Sequence, residues 1–266
     1  MNAISIGPFV FDAARLTAIG AILLFSVAVS LLSRRGKTGV EAWVSLAILL
    51  WIAGARTGFV LLHPEDFTRA PLDAFKLWQG GFSALSGWIA GGAVLLVALA
   101  RGRQAVIPPL LIAAAVAGGS HWAVSAALSR PDMALPTMTL LALNGAEVEL
   151  AGRDHVVVVN LWATWCPPCR REMPMMTELA AEMPEVDFVF ANQGESGRQI
   201  FAFLEAENLP QTGMLRDPDG QLMEKLGAVG LPSTLVFDDR GALVRAHTGE
   251  ISRAALRGMI ETAQER

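Results

Sequence analysis

The only two cysteines of the 266-residue sequence, Cys166 and Cys169, are separated by Pro167 and Pro168. An apolar run precedes them and a helical pattern follows, so we expect Cys166 at the N-terminus of a helix. Free N–H groups and the helix macrodipole favour a thiolate there, and Cys169 lies one turn further on, where it can form a disulfide with Cys166. The two prolines restrict φ over the first turn. This context indicates a redox-active pair.

Half of a zinc site is the alternative interpretation of a Cys-x-x-Cys motif. A structural zinc site needs two further ligands, and the sequence has no second cysteine pair. The histidines show no ligand spacing; they are His63, His121, His155 and His247. We therefore favour the redox pair and expect no metal and no cofactor.

Two stretches of the second half carry a resemblance to a known family. Residues 159–174, VNLWATWCPPCRREMP, resemble the active site of the TlpA/ResA-like branch of the thioredoxin superfamily. Residues 229–238, VGLPSTLVFD, resemble that family's cis-proline loop and the strand that follows it. The resemblance covers roughly the second half of the chain. It implies an α/β thioredoxin-fold domain that performs thiol-disulfide exchange.

The same resemblance implies the residues that contact a substrate. Cys166 would attack a substrate disulfide and Cys169 would resolve the mixed disulfide. Pro232 would be cis and pack beside the cysteines, leaving the backbone before it free to pair with a substrate strand. Trp162 and Trp165 are expected to shield the disulfide. The expected substrate-binding residues are Trp165, Pro167, Pro168, Leu231 and Pro232.

Proton handling departs from the ordinary thioredoxin pattern. Thioredoxins carry a buried aspartate six residues before the first cysteine, and this chain has Asn160 there. An amide cannot accept the proton that Cys169 must lose. The nearest carboxylate in the sequence is Glu172, one turn after Cys169, where TlpA/ResA-like proteins have an acid tied to their activity. The resemblance implies a catalytic Glu172, and the alternative is a surface glutamate that stabilises the first helical turn.

The apolar residues, 53% of the sequence, are concentrated before about residue 130. A helix that crosses a bilayer needs about 20 predominantly apolar residues. Four windows satisfy this requirement, near residues 13–33, 40–62, 78–100 and 105–128. We therefore predict an α-helical membrane domain of about four transmembrane helices over residues 1–130. A linker at residues 129–136 would join it to the thioredoxin-like domain, residues 131–266.

Charges in the connections between these windows predict the orientation. The second connection, residues 63–76, has mixed charge, whereas the first and third are basic. The basic residues are Arg34, Arg35, Lys37, Arg101 and Arg103. Basic loops stay on the cytoplasmic side, so both termini would lie outside, with the Cys-x-x-Cys domain in the periplasm and the helices in a bacterial inner membrane. Residues 1–12 lack Lys and Arg, which argues against a cleaved signal peptide.

The first half carries a second resemblance. Residues 6–9, 54–60 and 78–83 resemble the N-terminal half of prolipoprotein diacylglyceryl transferase. That family's His-Gly-Gly stretch, needed for activity, is replaced here by residues 85–87, and the arginine of its Arg-x-Gly-Asn motif is missing around residues 119–122. Of the family's functional residues only Arg56 remains. The resemblance implies a degenerate transferase scaffold that serves as an anchor or docking surface.

Arg56 and His121 are ionisable residues inside the predicted spans, which makes them functional candidates. The alternative is that Arg56 extends to the lipid headgroups and that His121 hydrogen-bonds a neighbouring helix. Because both lie near a predicted membrane interface, we favour the alternative.

The second half reads as a mixture of strands and helices. Asn144 and Gly145 predict a hairpin turn, and residues 156–163 predict a central strand because they are hydrophobic on both faces. Ser196 and Ser252 are candidate helix N-caps, and Pro174 predicts a kink. The expected strands are 137–143, 147–150, 156–163, 187–191, 213–216, 233–237 and 242–247, and the expected helices are 166–182, 196–207, 221–226 and one after Ser252.

The leading hypothesis is a membrane-anchored periplasmic thiol-disulfide oxidoreductase that reduces protein disulfides. The alternatives are a net thiol oxidase, a redox-linked membrane scaffold, and a diacylglyceryl transferase, which the missing motifs disfavour. Expected partners are protein disulfide substrates, membrane lipid and a separate DsbD-like membrane electron donor, since no cysteine precedes Cys166. A net charge of −4 gives no indication of a nucleic-acid partner.

Overall fold

The computed structural model describes residues 3–6, 9–33, 39–127 and 133–266. The chain divides into two compact units: a helical unit, residues 13–129, and a sheet unit, residues 130–266 together with residues 1–12. The first predicted basic connection, with Arg34, Arg35 and Lys37, and most of the predicted linker lie outside the described residues.

A short antiparallel hairpin, which the sequence analysis did not predict, precedes the helices. Strand β1 (Ala3–Ile6) pairs with β2 (Phe9–Asp12).

Four long helices form most of the helical unit, with a short helix between the second and the next long one. They are α1 (Ala13–Ser33), α2 (Val40–Leu62), the short α3 (Pro64–Arg69), α4 (Ala84–Ala100) and α5 (Ile107–Ala127). Short 3-10 turns cover Pro71–Phe75, Leu77–Gln79 and Gln104–Val106. The four long helices match the four predicted windows, except that α4 begins later than predicted.

The third predicted window began at Trp78, whereas α4 begins at Ala84. Gly80 and Gly81 have φ values of 77° and 83°, which end the 3-10 turn before them and exclude a continuous α-helix. Ser83 is the N-cap of α4 and accepts a hydrogen bond from the Ser86 N–H. The prediction of a helix over residues 78–83 was therefore wrong, because backbone conformation overrides hydropathy there.

Two helices among the described residues are long and apolar enough to cross a membrane by length and composition: α2 and the helical run Gln104–Ala127. Leu16–Leu32 and Ala84–Ala100 are apolar but shorter. Large apolar side chains are exposed on all four long helices, among them Leu23, Leu49, Leu61, Leu96 and Leu111.

The sheet unit contains a seven-stranded sheet with helices on its faces. In chain order its elements are β3 (Thr139–Ala142), β4 (Glu147–Glu149), β5 (Val157–Trp162), α6 (Pro167–Glu182), β6 (Asp187–Gln193), α7 (Gly197–Ala206), β7 (Met214–Asp217), α8 (Gln221–Lys225), β8 (Ser233–Phe237), β9 (Leu243–Thr248) and α9 (Arg253–Gln264). The strand order is β4-β3-β7-β6-β5-β8-β9. Strand β6 is parallel to both β5 and β7, and the other neighbours are antiparallel.

Strand β5 is buried along its whole length, as a strand that is hydrophobic on both faces should be. Its alternate side chains enter two core clusters, with Val158 and Trp162 in one and Val157, Val159 and Leu161 in the other. Helices α6, α7 and α9 contribute side chains to the first cluster, and α8 contributes Leu222 to the second. Helices therefore lie on both faces of the sheet, and β5 lies in its interior as predicted.

Local signals placed the other elements to within a few residues. Gly145 has a φ of 85° in the β3–β4 turn, where Asn144 Oδ1 accepts from the Ala146 N–H at 3.0 Å. Ser196 forms a capping box with Gln199, and Ser252 caps α9. Helix α6 continues as one helix through Pro174, where a kink was predicted.

Candidate active site

The Cys166–Cys169 disulfide lies where β5 leads into α6. Cys166 is the N-cap of α6, and its sulfur accepts a hydrogen bond from the Cys169 N–H at 3.3 Å. Cys166 is 3% exposed and Cys169 is 0% exposed. A partner therefore reaches Cys166 first, which agrees with the predicted order of attack; the roles themselves remain predictions.

Apolar side chains form the surface beside the disulfide. Pro167 and Pro168 occupy the first positions of α6, where the helix needs no N–H donor. Pro167 is exposed, and Trp165 is 68% exposed. Trp162, in contrast, is fully buried and packs against Phe203 with ring centroids 5.5 Å apart. Trp162 thus supports the site from the core, and Trp165 is available to a partner.

The Leu231–Pro232 loop lies at the same edge of the sheet as the end of β5. Strand register pairs Leu161 with Ser233, so Pro232 lies level with the residue that follows Leu161. The Leu231–Pro232 peptide bond is cis, as the resemblance implies, and Pro232 is buried. The Pro232 carbonyl accepts from the Gly249 N–H at 2.8 Å, whereas no described residue hydrogen-bonds the backbone of Leu231. That backbone is available for pairing with another strand.

Glu172 is buried, only 2% exposed, although it follows two exposed arginines. Its Oε1 accepts from Asn160 Nδ2 at 3.0 Å and its Oε2 from the Ile251 N–H at 3.0 Å. These hydrogen bonds favour the carboxylate, but burial outweighs them and raises the pKa of Glu172 to about 8. The alternative of a surface glutamate at a helix start is therefore wrong: the group is a buried carboxyl, and its surroundings favour the neutral form.

Asn160 connects Glu172 to the neighbouring strand. Its Nδ2 also donates to Thr234 Oγ1 at 3.2 Å, and its Oδ1 has no hydrogen-bond partner among the described residues. Sequence reasoning identified Asn160 only as the replacement of an aspartate and missed Thr234 and Ile251. The register that pairs Asn160 with Thr234 makes this contact, and it is not readable from local sequence.

Glu195, another buried acidic residue that the sequence analysis missed, accepts hydrogen bonds from the loop before the disulfide. Glu195 accepts from the Thr164 N–H at 2.7 Å, from the Thr164 hydroxyl, and from Asn192 Nδ2 at 2.7 Å. Thr164 follows β5 and Glu195 follows the parallel strand β6, so both lie at the carboxyl edge of the sheet. A polar residue just after each of two adjacent buried strands was the signal that could have revealed the contact.

No three His, Cys, Asp or Glu side chains in the part of the chain that the structure describes are grouped so that they could hold a metal ion. The two cysteines are joined to each other. This disulfide suits thiol-disulfide exchange between these sulfurs and a partner.

Arg56 is turned into the helical unit, where it is only 5% exposed. Its guanidinium donates to the carbonyl oxygens of Asp73, Ala74, Gly80 and Gly81 over 2.5 to 2.9 Å. The rings of Phe59, Phe67 and Phe82 lie within 6.0 Å of it. The expectation that Arg56 extends to the headgroups is wrong, because its guanidinium donates its hydrogen bonds to these carbonyls inside the protein.

His121 lines an apolar cavity of about 350 Å³ between the long helices. Its Nδ1 has no hydrogen-bond partner among the described residues, so the structure gives no support to the expected bond from this nitrogen to a neighbouring helix.

Comparisons with known proteins agree with this division of the chain. Residues 130–260 match the Redoxin family, and residues 2–126 match the prolipoprotein diacylglyceryl transferase family. A thiol:disulfide interchange protein DsbE homolog of Paracoccus denitrificans is 31% identical over 164 residues, 58% of this chain and 90% of that protein. DsbE of Escherichia coli K12 is 27% identical over 167 residues, 56% and 88% of the two chains.

The thiol-disulfide oxidoreductase ResA of Geobacillus thermodenitrificans is 31% identical over 130 residues, 48% of this chain and 74% of that protein. These relatives align with the sheet unit, in which an interior strand delivers the cysteine pair to a helix start. Through this unit the chain belongs to the DsbE and ResA family of thiol-disulfide oxidoreductases.

Proposed function

We propose that the protein is a membrane-anchored, periplasm-facing reductase of protein disulfides. In its dithiol form, the Cys166 thiolate attacks a substrate disulfide, forms a mixed disulfide and releases one substrate thiolate. The Cys169 thiolate then attacks the Cys166 sulfur and releases the second substrate thiolate. The substrate gains two electrons and the enzyme is left with the Cys166–Cys169 disulfide, which is the form of the structure. This disulfide at the N-terminus of α6 is the observation that carries the proposal.

Glu172 accepts the proton that Cys169 loses. It follows Cys169 by one helical turn, and a general base works best when its pKa lies near the operating pH. Burial raises the pKa of Glu172 to about 8 in the disulfide form, so the carboxyl retains the proton once resolution is complete. When a donor reduces the disulfide again, Glu172 returns this proton to the leaving Cys169 sulfur.

Asn160 suits both protonation states of Glu172. Its Nδ2 donates to Glu172 Oε1, an arrangement that suits the carboxylate. A half-turn of the amide about its Cβ–Cγ bond exchanges Nδ2 with the unpartnered Oδ1, which then accepts from the protonated carboxyl. An aspartate at this position would instead place a second negative charge against Glu172 and oppose its ionisation.

The substrate chain binds beside Cys166 as an extended segment. The unpaired Leu231 backbone offers one donor and one acceptor, and β-strand addition uses such groups. Trp165, Pro167 and Pro168 supply an apolar rim on the other side of the disulfide.

The first 130 residues anchor this activity in the inner membrane. Exposed leucines on all four long helices support contact with lipid, because a surface so apolar is unfavourable in water. The basic third connection, with Arg101 and Arg103, supports an orientation with both termini in the periplasm. The missing transferase motifs support a scaffold without diacylglyceryl transfer, and a separate DsbD-like protein supplies electrons.

The reduction potential of the Cys166–Cys169 pair tests the proposed direction. We expect a value near that of thioredoxin, about −270 mV, when the full-length protein is equilibrated with redox buffers. A value near that of the oxidant DsbA, about −120 mV, would instead identify a net thiol oxidase.

A further inference from the structure

Arg171 and Glu172, adjacent residues of α6, form hydrogen bonds with Glu250 and Ile251 in the loop before α9. Arg171 donates from Nε and from a terminal nitrogen to Glu250 Oε2 at 2.9 and 2.7 Å. The next residue, Glu172, accepts through Oε2 from the Ile251 N–H at 3.0 Å. The loop segment that fixes one oxygen of the Glu172 carboxyl is therefore fixed in turn by the Arg171–Glu250 ion pair.

The two partners of this ion pair differ in their exposure to water. The side chain of Arg171 is 58% exposed, whereas that of Glu250 is 5% exposed. Water and salt screen the charge of Arg171 more than that of Glu250. The two charges act on Glu172 in opposite directions: Glu250 raises the pKa of that carboxyl and Arg171 lowers it.

We propose that the Arg171–Glu250 ion pair is a positioning device for Glu172, which orients the carboxyl through Ile251 and balances the electrostatic field at it. This inference rests on the proposed role of Glu172 as the proton acceptor of Cys169. Arg171 and Glu250 do not touch the reacting sulfurs in this scheme. They adjust the pH range over which Glu172 can take up and return a proton, a range that its burial sets in the first place.

The elements near Glu172 carry further groups, which stay unchanged in the test. Helix α6 carries the two cysteines, which form a disulfide and do not titrate in the oxidised protein. Strand β9 carries His247, and α9 carries Arg253, which pairs with Glu178 and Glu182. Strands β5 and β8 contribute the uncharged Asn160 and Thr234. His247 Nε2 lies 3.2 Å from the Glu250 carbonyl oxygen. Glu250→Gln retains that carbonyl, so the contact survives the substitution.

The test is an infrared pH titration of the full-length oxidised protein in detergent. The band of the protonated Glu172 carboxyl is identified by its loss in Glu172→Gln, and its pH midpoint is measured. We expect Arg171→Gln to raise this midpoint and Glu250→Gln to lower it, each by roughly half a unit to one unit, the scale of one nearby charge. The double variant should return towards the parent midpoint. High salt should reduce both shifts of the pH midpoint relative to the parent. The shift in Arg171→Gln should shrink more than the shift in Glu250→Gln, because Arg171 is the more exposed of the two charges.

Arg170→Gln is the matched control. Arg170 precedes Arg171 on α6 but pairs with Glu207 at 2.9 Å and lies over the Phe203 ring. Its replacement should leave the midpoint unchanged.

A purely structural ion pair predicts a different result, since breaking it from either side loosens the same loop. Shifts of Arg171→Gln and Glu250→Gln in the same direction, or no shift in either, would overturn the inference. The titration needs no turnover, so it is independent of the reduction potential and of any loss of exchange activity in Glu172→Gln. Unaltered exchange in that variant would contradict the proton-acceptor role, whatever the midpoints.

Discussion

The sulfur atoms of Cys166 and Cys169 differ in their surroundings, and this difference supports the proposed order of reaction. Cys166 caps α6 and receives a hydrogen bond from the Cys169 N–H, which stabilises a thiolate at that position. Cys169 is fully buried and lies one turn before the buried Glu172. Loss of its proton therefore depends on an acceptor within the protein.

The first prediction concerns these two thiols. Cys169→Ala should accumulate mixed disulfides between Cys166 and client proteins, because the resolving thiol is missing. Cys166→Ala should accumulate few, since Cys169 is buried. Non-reducing gels of cells expressing each variant measure this difference, and the double variant is the control. Trapping by Cys166→Ala in preference to Cys169→Ala would reverse the assigned roles.

The second prediction follows from the buried Glu172 carboxyl. Burial raises its pKa from the ordinary value of 4.5 to about 8, so the folded state binds this proton more tightly than the unfolded state. Its contribution to stability is complete below about pH 4.5 and is lost as pH rises through about 8, a change of several kcal/mol. Glu172→Gln cannot ionise and should remove this dependence.

Urea titrations of the oxidised full-length protein, read by limited proteolysis within the sheet unit, measure the effect. Between pH 5 and pH 9 the parent should lose more stability than Glu172→Gln. Glu207→Gln is a control, because Glu207 is an exposed carboxylate paired with Arg170 at the surface. Parallel stability curves for the parent and Glu172→Gln would show that Glu172 ionises normally.

Secondary-structure elements bring the distant parts of the site together. Antiparallel pairing of β5 with β8 sets Asn160 against Thr234 and carries Pro232 to the end of β5. Parallel pairing of β5 with β6 places Thr164 and Glu195 at one edge. Each contact follows from strand register, so a one-residue slip would separate all of them.

Close packing of α2 on α4 is the corresponding feature of the helical unit. A Cβ added at Gly54 would overlap Ala90, and one added at Gly58 would overlap Ser86. A Cβ at Gly92 of α4 would meet nothing within 4 Å. Two glycines of α4 also lie close to α2: a Cβ added at Gly87 would lie 3.0 Å from Ala55, and one added at Gly91 would lie 3.3 Å from Trp51.

The third prediction tests this interface. Gly54→Val and Gly58→Val should each destabilise the helical unit by about 1–3 kcal/mol, the scale of overpacking at a tight interface. Gly92→Val is the matched control and should have little effect. Thermal unfolding of the purified protein in detergent, followed by tryptophan fluorescence, compares the three variants. Equal losses in all three would mean that helix propensity, and not α2–α4 packing, is responsible.

The sequence predicted secondary-structure elements that depend on local signals. It did not predict the side-chain contacts of the site that depend on residues far apart in the chain. The apolar run of residues 156–163, the Asn144–Gly145 turn and the serine caps each encode a structure within a few residues. The burial of Glu172 is not encoded locally, because Arg170, Arg171 and Glu172 together resemble a solvated helix face. The bonds from Glu195 to Thr164 and from Arg56 to loop carbonyls join segments that are far apart in the sequence. Hydropathy could not show either contact.

At the scale of the whole molecule, the sequence joins a redox unit to a helical unit that has no thiol of its own. Residues 1–165 contain no cysteine, so the helices cannot transfer electrons by thiol exchange. Among the described residues of the helical unit, Arg56 is engaged by backbone carbonyls and His121 lines an apolar cavity. Neither arrangement provides a redox carrier. These observations support the proposed function, in which this half is an anchor and another protein supplies the electrons.

The last prediction concerns this supply. A reductase in an oxidising compartment must be reduced again after each turnover, and the electrons have to cross the membrane. Deletion of a DsbD-like transporter should therefore leave the Cys166–Cys169 pair fully oxidised in cells, as measured by alkylation of free thiols after acid quenching. Replacing the first 130 residues by an unrelated membrane anchor, with the transporter present, should leave the redox state unchanged. A pair that stays reduced without the transporter, or that becomes oxidised only when the native helices are replaced, would mean that the helical unit itself takes part in electron transfer.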